Sequence, residues 1–189
     1  IPQPLLVEKI PKYDFLLMEW VEMKSQGDWK LFGQTLAELH KQTNPQFGLD
    51  HQNYIGSLSQ DNTFEPTWSE FFINRRLHPL SKKAYDKGQL ERKTLKAIEN
   101  LYGRLNEIYP AESPALIHGD LWSGNRAFTS DGKPCIYDPA VYFGHREMDL
   151  AMTRLFGGFP EEMYREYHQN NPLEPGWKER IPIGQLYPL

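Results

Sequence analysis

Ile117-His118-Gly119-Asp120-Leu121-Trp122-Ser123-Gly124-Asn125, followed by Ile136-Tyr137-Asp138-Pro139, is the stretch on which the reading of this chain turns. Ala115-Leu116-Ile117 is a short apolar segment that predicts a strand, and it runs into a polar loop carrying Asp120. Ala127-Phe128 and Cys135-Ile136-Tyr137 flank Ser130-Asp131-Gly132-Lys133, and an Asp-Gly between two apolar runs signals a β-hairpin. Such a hairpin returns Asp138 to the loop that holds Asp120 and Asn125. A carboxylate that orients a hydroxyl proton, beside an amide and a second carboxylate offering hard oxygen ligands, suits phosphoryl transfer assisted by Mg²⁺.

The rest of the chain narrows the alternatives. Its 189 residues, 39% of them hydrophobic, predict one ordinary domain with a usable core. A net charge of −4 offers no excess of Lys and Arg for a nucleic-acid backbone. The single cysteine, Cys135, excludes an internal disulfide and a Cys-rich metal site, fits a reducing cytoplasm, and predicts simple burial at its strand position. No apolar run approaches the length of a membrane span, and Ile1-Pro2-Gln3-Pro4 lacks the basic start of a signal peptide, so the expectation is a soluble cytoplasmic protein.

Periodicity predicts the other elements. Phe15 to Val21 is bulky and apolar and reads as a buried strand closed by Lys24 to Gly27. Asp28 is placed to cap a helix running to Lys41, with Phe32, Leu36 and Leu39 on one face. Residues 44–66 are rich in Asn, Gln, Gly, Asp and Ser and predict a long surface connection. Thr67-Trp68-Ser69-Glu70 is a capping box that should start a helix to about Leu77. The strongest helical pattern spans Leu90 to Tyr109, ended by Pro110 and Pro114. Two further helices are expected at 146–156 and 161–169, the second started by Pro160.

The Asp120-x-x-x-x-Asn125 spacing equals that of the protein-kinase catalytic loop, and Asp138 stands where those kinases carry the metal-binding aspartate. Gly119 replaces their Arg and Pro139 their Phe, departures that favour the small-molecule branch containing aminoglycoside and choline kinases. Within that branch, residues 118–125, Asp138-Pro139-Ala140-Val141-Tyr142-Phe143-Gly144, Arg146 to Ala151, Leu155 to Phe159, Asn53 to Gly56 and the 68–77 helix resemble the fructosamine (ketosamine) kinases along nearly the whole chain. Trp122-Ser123-Gly124 is the specific part. Arg126 departs from the small residue that the family pattern has there, which puts the local loop packing in question.

The resemblance implies an α+β, protein-kinase-like fold, mainly the helical C-terminal lobe. Residues 1–23 would be the end of the N-lobe sheet and the hinge, and 24–189 a C-lobe cut at its far end, with most of the N-lobe absent. It implies ATP and Mg²⁺, and phosphorylation at O3 of a ketosamine, free or on a glycated protein, with release of the amine. Asp120 would be the base, Asn125 and Asp138 the metal ligands, and Trp122 a wall for the sugar, unless it is a core aromatic. Met18, Glu19 and Val21 would meet adenine, Asp149 would hold the catalytic loop's amides, and His118 would brace that loop. Arg75 and Arg76 could meet an acidic substrate group or lie solvated. Because no Gly-rich loop or strand lysine precedes the hinge, residues 1–189 alone are expected to be nearly inactive. An aminoglycoside- or choline-type kinase, and a non-catalytic pseudokinase, are the competing readings.

Overall fold

The computed structural model describes residues 1–189 as short sheets and helices around two apolar clusters. Strands β1 (Pro4–Ile10) and β2 (Tyr13–Met18) form an antiparallel hairpin. The expectation of a buried strand here is half right: β2 exists, but all of its residues are exposed. Apolar composition shows what would benefit from burial. It does not supply a layer to pack against, and two strands by themselves cannot form one.

Strand β3 (Met23–Lys24) joins the hairpin of β7 (Arg126–Thr129) and β8 (Pro134–Ile136) in a three-stranded antiparallel sheet. Between them in sequence, helix α1 (Trp29–His40) starts where the Asp28 carboxylate accepts the Leu31 amide at 2.9 Å, the cap that the sequence predicts. The 44–66 connection is more ordered than expected. It contains the hairpin of β4 (Asn53–Ile55) and β5 (Leu58–Gln60), and it buries Gln60 and Asn62.

The Thr67 hydroxyl accepts the Glu70 amide at 3.2 Å and opens helix α2 (Trp68–Phe71). This helix does not stop near Leu77: a π-helical stretch over Phe72–Leu77 leads directly into α3 (His78–Asp86), passing Pro79. Proline removes the amide that would bond four residues back, to the Arg75 carbonyl. The Arg76 guanidinium supplies that bond instead, at 3.0 Å. The predicted 90–109 helix is broken at Gly103 into α4 (Arg92–Tyr102) and α5 (Leu105–Ile108), glycine being a poor interior helix residue.

Strand β6 (Ala115–Ile117) pairs antiparallel with β9 (Tyr142–Gly144). Helices α6 (Glu147–Thr153), α7 (Glu161–Asn170) and α8 (Trp177–Gly184) follow, and α7 packs along α1. Helix α8, with Pro182 inside it, lacks a sequence signal. No helix is long and apolar enough to cross a membrane.

The two cores determine where the polar loop sits. Ile117 is buried with Phe47, Phe71, Phe72 and Tyr142, while Leu121 is buried with Phe32, Phe128, Leu150 and Tyr167. The three residues between these anchors, His118 to Asp120, are therefore pinned at both ends, and the chain must turn sharply between them.

Candidate active site

Gly119 makes that turn at φ 80°, and a Cβ on it would lie 2.1 Å from the Ala140 carbonyl oxygen. Both the left-handed conformation and the close approach demand glycine here. The two backbone amides at the turn donate to one buried carboxylate: His118 N to Asp149 Oδ2 at 2.7 Å and Gly119 N to Asp149 Oδ1 at 2.9 Å. Asp149 thus holds the loop's amides, and a second brace holds Asp149. His40 Nε2 lies 3.1 Å from Asp149 Oδ2 and His40 Nδ1 lies 2.7 Å from the Tyr167 hydroxyl. Burial pushes the Asp149 pKa up, but the hydrogen bond and charge of His40, together with His118, outweigh it and hold the group below the ordinary carboxylate range. An ionised Asp149 makes His40 Nε2 the donor, leaving Nδ1 to accept from Tyr167.

His118 is a brace as well. Its Nε2 faces the Tyr137 carbonyl at 3.0 Å, which can only accept, and its Nδ1 faces the Asp120 amide at 3.3 Å, which can only donate. The ring is therefore the neutral Nε2–H tautomer, consistent with burial lowering its pKa.

From Asp120 the chain winds through a 3₁₀ turn, Ser123–Asn125, into β7. The Asn125 amide nitrogen then donates to the Asp120 carbonyl at 2.9 Å, to Asp120 Oδ2 at 3.0 Å and to the Asp138 carbonyl at 3.4 Å. Asp120, Asn125 and Asp138 are thus brought together as the sequence predicts. Asp120 is half-buried, and burial, with the charges of Asp138 and Asp149, raises its pKa to about 6 against the pull of Asn125. Asp138 is exposed, has φ 55°, and its carboxylate makes no hydrogen bond or ion pair within the chain.

These residues fit a Mg²⁺ site. The three Asn125 contacts engage only its nitrogen, so its Oδ1 and the Asp138 carboxylate both remain without partners in the chain. An amide oxygen and a carboxylate are hard donors of the kind Mg²⁺ takes, with water and nucleotide phosphates able to supply the rest.

Trp122 is half-buried, its ring over Gly124 and edge-to-face with Phe156 at 5.6 Å and 74°. It lies outside both buried clusters, so it is not a core aromatic. Phe156 is 61% exposed and has φ 40°, an unusual combination for an apolar non-glycine residue. Met18 ends β2 and is exposed; the Glu19 amide donates to the Gln3 carbonyl at 2.9 Å. The Glu19 carbonyl and the backbone of Val21 make no bond within the chain.

Arg75 and Arg76 depart from both roles considered for them. Arg75 pairs with Asp61 and Glu65, each at 2.8 Å, and Arg76 is fully buried. Arg126 does not disturb the loop: it donates to the Ser25 carbonyl at 2.7 Å and lies over the Trp29 ring at 4.7 Å. Sequence reasoning missed His40 and Tyr167, which bear no fixed spacing to the loop, and missed Phe156. Cys135 is buried, as its strand position suggests.

The sequence profile of the fructosamine kinases matches residues 1–189. The chain belongs to the fructosamine kinase family. It is 42% identical over all its residues to a protein of Enterococcus faecium described as a probable ketoamine kinase, of which it covers 69%, and 38% identical to one so described in Synechocystis, of which it covers 64%. It thus spans roughly two-thirds of the length of these relatives. Among solved structures, that of a candidate fructosamine-3-kinase from Thermobifida fusca superposes with a TM-score of 0.88 at 37% identity, covering 100% of this chain and 65% of that one. An aminoglycoside-3'-phosphotransferase of type VIII superposes at 0.52 and 14% identity, covering 99% of this chain and 73% of that one, which shows the shared protein-kinase-like fold alone. These fructosamine kinase relatives do not bear out the expectation that residues 1–189 alone are inactive.

Proposed function

We propose that this chain carries the phosphoryl-transfer half of an ATP-dependent ketoamine kinase acting at O3 of fructosamine or ribulosamine adducts, free or on proteins, in the cytoplasm. Phosphorylation there would make the adduct labile and free the amine, a repair of glycation. The observation that carries this reading is the Asn125 amide, which touches both Asp120 and Asp138 and leaves Asp138 open to solvent. We read residues 1–23 as strands and hinge on the nucleotide side, and 24–189 as the helical lobe, with 118–125 the catalytic loop and 138–140 the metal-binding segment.

Asp120 accepts the proton of the attacking sugar hydroxyl; a carboxyl poised near pH 6 is ionised at neutral pH yet basic enough to do so. Asn125 fixes the direction of that carboxylate and offers Oδ1, with Asp138, to Mg²⁺, which when bound neutralises charge on the nucleotide phosphates. Asp149, through the amides of His118 and Gly119, keeps Asp120 from swinging away as it takes the proton. Trp122, backed by Phe156, packs against the sugar-amine. The free Glu19 carbonyl and Val21 amide, just past Met18, suit the donor and acceptor of an adenine edge.

The full-length protein, given ATP, Mg²⁺ and either fructoselysine, a ribulose-amine, choline or an aminoglycoside, should phosphorylate only the first two, with ³¹P–¹H correlation placing the phosphate on O3. Turnover of choline or the aminoglycoside alone would overturn the substrate assignment, and turnover of none of the four would favour a non-catalytic role.

A further inference from the structure

The Asp138 side chain is held by nothing within the chain, and its backbone sits at φ 55°, a conformation that costs about 1 kcal/mol or more for a residue with a Cβ. Its direction is set by the backbone on either side: before it Tyr137 is held by its amide to the Asn125 carbonyl at 3.1 Å and by its carbonyl to His118 at 3.0 Å, and the segment after it is held by side chains. Three of the four carbonyls from Asp138 to Val141 accept from an amide side chain. Asn125 reaches Asp138 O at 3.4 Å, Gln60 Nε2 reaches Ala140 O at 3.3 Å, and Asn53 Nδ2 reaches Val141 O at 2.7 Å.

The two donors on the β4–β5 hairpin are themselves fixed. Asn53 Oδ1 accepts from Gln60 Nε2 at 2.9 Å and from Asn62 Nδ2 at 2.8 Å, while Asn62 Oδ1 accepts from Arg76 Nη2 at 2.6 Å. Gln60, Asn62 and Arg76 are 1%, 0% and 0% exposed. Arg76 has no carboxylate partner; its charge rests on the Asp61 and Arg75 carbonyls, on Asn62 and on the faces of Phe71, Tyr142 and Tyr187. A buried polar chain of this kind is costly unless its members are paired, and of the Arg76 nitrogens only Nε lacks a partner.

We propose that Asn53, Gln60 and Asn62, anchored by Arg76, are positioning residues that set the Asp138 carboxylate for the metal-bound nucleotide; this rests on the reading of Asp138 as a metal ligand. Amides suit the task for an electrostatic reason. They donate to the segment's carbonyls without bringing a cation beside Asp138, where Lys or Arg would pair with the carboxylate and compete with Mg²⁺. The one cation in the network sits at its far end, behind Asn62.

The test uses Asn53→Ala and Asn53→Asp in the full-length protein. The aspartate keeps an acceptor for Gln60 and Asn62 but cannot donate to Val141 O. Both variants should need about 10-fold more Mg²⁺ for half-maximal transfer, with lower kcat and an unchanged KM for the sugar-amine, as loss of an outer-shell contact does. Mn²⁺–nucleotide binding, read by water-proton relaxation, should weaken by a like factor. A lower Tm in either variant with unaltered Mg²⁺ dependence and Mn²⁺–nucleotide affinity would show that the amides only stabilise the fold, and would overturn the proposal. If the parent protein transfers no phosphate to any sugar-amine, the ketoamine reading falls while the Mn²⁺ titration still decides this one; a parent that binds no Mn²⁺–nucleotide overturns both.

Discussion

Replacing Asp120 by asparagine should make the protein more stable at neutral pH while abolishing phosphoryl transfer. The Asp120 pKa is raised from 3.8 to about 6, first by burial and then by Asp138 and Asp149. A carboxyl whose folded value lies above its unfolded value favours folding while protonated, and that advantage is lost as pH rises through about 6. The displacement corresponds to about 3 kcal/mol at about 1.4 kcal/mol per tenfold. Half of the group faces water, so screening reduces this to about 1 to 2 kcal/mol. The asparagine variant does not titrate, and its amide oxygen can still accept from Asn125, so it avoids that loss. Urea denaturation without metal should show it ahead by about 1 to 2 kcal/mol at pH 8, or about 2 to 8 °C in Tm, with the gap narrowing below pH 6 and closing towards pH 4. An equal or lower stability of the variant at pH 8, or a gap independent of pH, would refute the reasoning.

Asp149→Asn removes a buried charge that accepts three hydrogen bonds and should cost about 3 to 5 kcal/mol by denaturation at pH 7. Because the Asp149 pKa is depressed, the stability it provides is present above its unfolded value of about 4, and the deficit of the variant should shrink as pH falls below that. Gly119→Ala combines a left-handed residue with the Ala140 contact and should lower Tm by about 5 °C or more, which a thermal melt checks. Phe156→Gly relieves the strain at φ 40° and should leave stability within about 1 kcal/mol of the parent or above it, yet raise KM for the ketoamine about 5-fold; an unchanged KM would remove Phe156 from the substrate wall.

The grouping of Asp120, Asn125 and Asp138 was legible in the sequence because local chemistry decides it. A strand running into a polar loop and an Asp-Gly hairpin after it each follow from a few adjacent residues, and together they leave Asp138 little choice of place. The support around them was not. Gln60 and Asn62 lie on a segment whose composition reads as surface, His40 and Arg76 are polar residues on predicted helices, and only long-range contacts show that all four are buried. The same blindness worked in reverse at Phe15 to Met18, where apolar residues suggested a covering layer. The helix across Pro79 was hidden because the remedy for the missing amide, the Arg76 side chain, is a property of the folded helix and of no sequence pattern.

Arg126 lies over the rings of Trp29, Phe128 and Phe159, with its charge turned to the Ser25 carbonyl. A relative with a small residue there would have to fill the same space differently. Positions 29 and 126 are therefore coupled in stability, and grafting either residue alone into a relative with a small residue at 126 should cost more than grafting the pair.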